Sequence, residues 1–151
     1  MIIENNINEI TLIFYCSNIS KYPMDPLHRA VMDENIFTIT NLISSGHPID
    51  IRDDYGMTSL HIAVSNRYYD GVKELIEHGS DVNALDDFGH TPLMKCLDLQ
   101  PFYEGVDYVG VSIASLLIKH GADVNVKYEG KTVFEYSKNS HFRNFLISAK
   151  N

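Results

Sequence analysis

The chain of 151 residues has no tryptophan and only two cysteines, Cys16 and Cys96. They lie far apart and without paired spacing, which excludes a disulfide framework and a zinc-binding set and fits a reducing compartment. The expected location is therefore the cytoplasm, or a host cytosol if the protein is viral or a secreted effector. Long apolar runs are also missing. Ile10 to Tyr15 is too short to span a bilayer, and no Lys or Arg precedes it before Lys21, so neither a membrane span nor a secretory signal is expected. Positive charge is scarce, with 12 Lys plus Arg against 20 Asp plus Glu and a formal net charge of -8. Such a surface repels phosphate backbones, which argues against DNA or RNA, and matches a protein partner with a basic surface. The glycines fall singly, so no phosphate-cradling loop is present.

What the chain has is self-similarity, and its 44% hydrophobic content is enough for one continuous core. Asp25-Pro26-Leu27-His28-Arg29-Ala30, Thr58-Ser59-Leu60-His61-Ile62-Ala63 and Thr91-Pro92-Leu93-Met94-Lys95-Cys96 share one phrase, and both Leu27 to Leu60 and Leu60 to Leu93 are 33 residues. Each is followed by an apolar segment ending in glycine, at Gly46, Gly79 and Gly121. A third phrase follows the glycine: Pro48-Ile49-Asp50-Ile51, Asp81-Val82-Asn83-Ala84 and Asp123-Val124-Asn125-Val126.

The physical chemistry of these phrases predicts helix pairs. Asp25, Thr58 and Thr91 can cap helix N-termini, and Pro26 and Pro92 then occupy the first helical position, where no N–H is needed. Leu27, Ala30 and Val31 mark one apolar stripe and Leu60, Ala63 and Val64 another, with alanine allowing close approach. Gly46, Gly79 and Gly121 suit the left-handed residue that ends a helix. Asp54-Tyr55-Gly56 and Asp87-Phe88-Gly89 read as turns between units. A tighter last turn is expected, because Gly121 to Gly130 is 9 residues against 10 from Gly46 to Gly56.

This pattern resembles the ankyrin repeat, with a period of about 33 residues and the opening Thr-Pro-Leu-His-x-Ala. The resemblance covers residues 21 to 151, departing locally at Asp25, Ser59 and Met94. It implies an all-α solenoid of stacked helix-turn-helix units with β-hairpin-like tips. The expected organisation is an N-terminal capping segment over 1–20, repeats at about 21–53, 54–86 and 87–127, and a C-terminal cap over 128–151. Ile3, Ile7, Ile10 and Phe14 favour a helix for the first segment, although the β-branched run Ile10-Thr11-Leu12-Ile13 also suits a strand. In the last, Phe142, Phe145 and Leu146 face inward. Leu93 to Gly121 is 28 residues where the other repeats have 19, so repeat three carries a nine-residue insertion near 99–109.

No catalytic constellation stands out. His28 and His61 occupy a structural position of the family, where the imidazole ties neighbouring repeats, and Cys96 replaces the packed alanine as a small hydrophobe. His47, His90 and His141 have no His or Cys at ligand spacing, so no metal or cofactor is expected. The resemblance implies contacts with partners through the tips and the exposed side of each first helix. Carried over by register, these are Arg52, Asp54, Tyr55, Met57 and Asn66, then Leu85, Asp87, Phe88, His90 and Asp98, and finally Tyr128. The insertion adds Phe102, Tyr103 and Tyr108, which either anchor a partner or fold back on the groove. The expected function is a non-enzymatic protein-binding module, monomeric when unbound, acting as an adaptor or as an immunity-type inhibitor of a basic toxin enzyme.

Overall fold

The computed structural model describes residues 24–98, 108–137 and 140–149. The segment expected as an N-terminal cap and most of the insertion, with Phe102 and Tyr103, lie outside the described residues. Three helix pairs follow one another: α1 (Pro26–Met32) with α2 (Ile36–Ser44), α3 (Ser59–Ser65) with α4 (Tyr69–Glu77), and α5 (Pro92–Asp98) with α6 (Tyr108–Lys119). A hairpin of β1 (Lys127–Tyr128) and β2 (Lys131–Thr132) leads into α7 (Val133–Tyr136) and α8 (Ser140–Ala149). Odd-numbered helices stack on one another in one layer and even-numbered helices in a second, so each unit touches only its neighbours, as a solenoid requires.

The helix boundaries follow from local chemistry. Asp25 Oδ1 accepts from the Leu27 N–H at 2.8 Å, and Thr91 Oγ1 accepts from the Met94 N–H at 3.3 Å. At Thr58 the cap is reciprocal, a capping box in which the Thr58 side chain caps the His61 backbone while the Thr58 N–H donates to Nδ1 of His61 at 3.2 Å. Gly79 (φ 92°) closes α4 with bonds from the Gly79 N–H to the Ile76 carbonyl and from the Ser80 N–H to the Leu75 carbonyl, each 3.0 Å. That double bond pattern needs a left-handed residue, and it recurs at Gly46 and Gly121. The first helices end in the same way at Glu34 and Arg67, without glycine.

Buried side chains repeat in register through the stack. Leu27, Leu60 and Leu93 form one column, Ala30, Ala63 and Cys96 the next, and Leu75 with Leu117 packs the second layer. Cys96 completes the small-residue column, where a thiol serves as a compact apolar group. Phe142 and Leu146 of α8 are buried in the core beside the last pair. A polar ladder runs along the turns after each glycine: the Asp81 N–H donates to the Asp50 carboxylate, and the Asp123 N–H donates to Asn83 Oδ1 at 2.7 Å.

Two expectations are refined. The last tip is a two-residue hairpin in which Tyr128 pairs with Lys131, and Glu129 (φ 47°) and Gly130 (φ 78°) supply the double positive φ that such a turn demands. It is the only strand pair among the described residues, so the other tips are hairpin-like in path but not paired as strands. The insertion is in part helical: α6 has 12 residues where α2 and α4 have 9, so Tyr108 and Val109 extend a helix rather than lie in a loop.

Candidate interaction surface

The tips of repeats two and three are each built on an aspartate that is consumed by its own backbone. Asp53 Oδ1 accepts from the Tyr55 and Met57 N–H groups at 2.9 and 2.8 Å, and the Asp53 N–H donates to the Met57 carbonyl. Asp86 repeats this with the Phe88 and His90 N–H groups at 3.0 and 2.8 Å. The second carboxylates, Asp54 and Asp87, are exposed.

Adjacent tips are then fastened together. The Asp87 N–H donates to the Tyr55 carbonyl at 3.0 Å, and Arg52 Nη1 donates to the Leu85 carbonyl at 2.6 Å and the Gly56 carbonyl at 3.3 Å. A Cβ on Gly56 would lie 2.7 Å from the Asp87 backbone nitrogen, so only glycine admits this approach. Arg52 thus serves the scaffold with both bonds. Upon this braced ridge Tyr55 and Phe88 stand 59% and 57% exposed, with Leu85 also exposed and Met57 half-buried beside them.

Towards the last repeat the ridge becomes an aromatic cluster. The rings of Phe88 and His90 lie 6.3 Å apart, His90 and Tyr128 4.2 Å, and Tyr128 and Tyr136 5.8 Å. Lys131 Nζ sits 5.4 Å from the Tyr136 ring centre. His90 and Tyr128 are consequently half-buried in mutual contact rather than free.

Behind the ridge lies a group of charged side chains absent from the neighbouring repeat. Lys95 Nζ pairs with Asp86 Oδ2 at 2.8 Å, and His90 Nδ1 lies 3.4 Å from the same oxygen and 3.5 Å from Lys95. Burial alone would raise the Asp86 carboxyl, but the Lys95 ammonium, the His90 N–H and the nearby imidazole outweigh it and hold it below the ordinary range. The same positions of repeat two carry Ile62 and Met57. Next to this group the buried His61 accepts at Nδ1 from Thr58 and donates from Nε2 to the His90 carbonyl at 3.1 Å. Burial, opposed by that bond and by the Asp86 charge, lowers its pKa and keeps it neutral. In His28, by contrast, Nε2 is buried and has no hydrogen-bond partner among the described residues.

The remaining candidates are not on this ridge. Asn66 is exposed at the C-cap of α3, and Tyr108 begins α6. Both lie at the opposite end of the helices from the tips, because each tip precedes a first helix whereas these residues lie where first and second helices join. The side chain of Asp98 lies outside the described residues. Lys95 and Tyr136 escaped the sequence reading. Aligning the first helices puts Lys95 in a column with Ile62 and Arg29, so the alignment alone would not have singled it out.

A family model described as ankyrin repeats (3 copies) matches residues 2–86 and, overlapping, 27–128. The chain belongs to the ankyrin-repeat family. Ankyrin repeats generally mediate protein–protein interaction, and a search of curated proteins gives no match to this chain. In this ankyrin-repeat protein no group of three or more His, Cys, Asp or Glu among the described residues could hold a metal ion. None of the described helices is long and apolar enough to cross a membrane.

Proposed function

We propose that this ankyrin-repeat protein binds a partner protein through the ridge formed by the tips of repeats two and three, and performs no chemistry of its own. The observation that carries this reading is the division of labour at each tip. Asp53, Asp86, Arg52 and Gly56 fix the backbone, while Tyr55, Phe88 and Leu85 are held out in water where they contribute nothing to the core. Rigid aromatic side chains on a pre-formed backbone lose little entropy on binding and make good anchors. Exposed Asp54 and Asp87 beside them favour a partner that is basic at its rim. Cys96, a buried thiol facing the Pro92 carbonyl at 3.9 Å, fits a reducing, cytosolic setting.

The test is affinity capture from the native cell with the protein and with a Tyr55→Ala/Phe88→Ala variant of unchanged circular dichroism and melting temperature. A partner recovered with the protein should be lost from the variant, with Kd raised at least about tenfold per aromatic removed. Equal capture by both would place the binding surface elsewhere.

A further inference from the structure

Ankyrin tips are one edge of the solenoid. The other edge, where first and second helices join, carries a larger share of the exposed apolar side chains. Met32, Ile36 and Phe37 stand there in repeat one, Tyr69 in repeat two, and Tyr108 and Val109 in repeat three. Phe37 and Tyr108 are each 75% exposed, more than any aromatic on the tips. Folding alone gives no reason for a row of such side chains at the starts of three successive helices, since each is turned away from the core.

The charge of this edge is acidic on balance. Asp33 and Glu34 are exposed in the first turn and Asp70 in the second, against Arg67 in the second turn and Arg29 in the last turn of α1. The hydroxyl of Tyr68 reports the resulting field. It donates to the Glu34 carbonyl at 3.1 Å, which fastens the first turn to the second, and burial together with the Asp70, Glu34 and Glu74 carboxylates pushes its pKa up. The backbone of both turns is satisfied by its own capping bonds, so no exposed strand edge is available for strand pairing.

We infer that this edge is a second docking surface, distinct from the tips, for a basic amphipathic helix of a partner protein. Packed helices lie about 8–10 Å apart, so the apolar groups of successive turns form steps of that size. A helix rises about 1.5 Å per residue, which puts anchors seven residues apart at about 10.5 Å, close to that step. Two steps, from Phe37 to Tyr108, thus match a helix of about four turns with apolar residues along one face. Lysines or arginines flanking that face would meet Asp33, Glu34 and Asp70, giving the apolar centre and charged rim of a specific interface.

The probe is a dye-labelled 18-residue peptide with leucine and phenylalanine at helical spacing and lysine elsewhere, titrated by fluorescence anisotropy against the full chain. The controls are a scrambled peptide of the same composition and a version with glutamate in place of lysine. The amphipathic basic peptide should bind at least tenfold tighter than either control. Phe37→Ser and Tyr108→Ser should each weaken it about tenfold at unchanged melting temperature, while Tyr55→Ala/Phe88→Ala should leave it unchanged. Equal binding of the scrambled peptide, or no binding, would overturn the inference. Loss in the tip variant alone would overturn it too, and would leave the tip reading intact.

Discussion

The two histidines of the repeat phrase form a controlled experiment within one molecule. Replacing His61 by Met removes the acceptor of the Thr58 N–H and the donor to the His90 carbonyl, both in a buried setting. A buried polar group left unsatisfied costs about 1–3 kcal/mol, and the His90 carbonyl retains its bond from the Asp86 N–H, so the expected loss is about 2–4 kcal/mol. The same change at His28 deletes a buried Nε2 that has no partner among the described residues. Methionine is sterically suited to this position, since the third repeat carries Met94 there, buried. His28→Met should therefore lie within about 1 kcal/mol of the parent and tend to stabilise. Urea unfolding at pH 7.5, read by circular dichroism, measures both. Equal destabilisation by the two substitutions would refute this account of the imidazole. The pH dependence supplies a second readout. His61 has a folded pKa below its ordinary 6.5, so as pH falls below about 6.5 the unfolded chain takes up a proton that the folded chain refuses. Its contribution is complete above pH 6.5 and declines on acidification, and His61→Met should remove that slope.

Gly56→Ala forces a Cβ against the Asp87 backbone at a positive φ and should cost at least about 2 kcal/mol, whereas Gly130→Ala, with open space around it, should cost about 1 kcal/mol, as thermal melts would show. Asp86→Asn strands the Lys95 ammonium and should destabilise by about 2–3 kcal/mol at pH 7. Because the Asp86 carboxyl is held below 3.8, its stabilisation is present above that pH and fades below it, so the gap between parent and Asp86→Asn should shrink at pH 3 in urea titrations. Association with a partner basic at its rim should slow as salt is added, and a rate independent of ionic strength in stopped-flow measurements would remove the role given to Asp54 and Asp87.

The scaffold was legible because its determinants are local and occur three times. Capping at Asp25 and Thr91, left-handed glycines at 46, 79 and 121, and the columns through Leu60 and Ala63 each depend on a few adjacent residues, so the period alone reveals them. The tight final tip was equally readable from one missing residue. Thr58 was readable as a cap; the reciprocal bond from its N–H to the His61 ring was not, since imidazole geometry is not encoded in spacing. The identity of exposed tip aromatics was visible too. Their ties were not: that Arg52 spends its guanidinium on the next tip, and that Tyr128 stacks on His90, depends on contacts between repeats.

The grouping of site residues was the harder matter. In sequence, Phe88 and Tyr108 belong to one repeat and read as one surface. In space a seven-residue helix, about 10 Å long, stands between the tip before α5 and the join after it. Antiparallel helix pairs therefore sort exposed residues by which end of the helix they flank, not by repeat. Tyr108 and Val109, the described end of the insertion, stand on the edge opposite the tips, and that edge shares its apolar row with repeats one and two. A ligand on the tips touches Tyr55 and Phe88; one on the joins touches Phe37 and Tyr108. Substitutions at one edge need not disturb the other, since the layers between them pack without either set of side chains. Under the two proposals the solenoid holds two partners at once, and the independence of the two variant sets in binding measurements is the expected outcome.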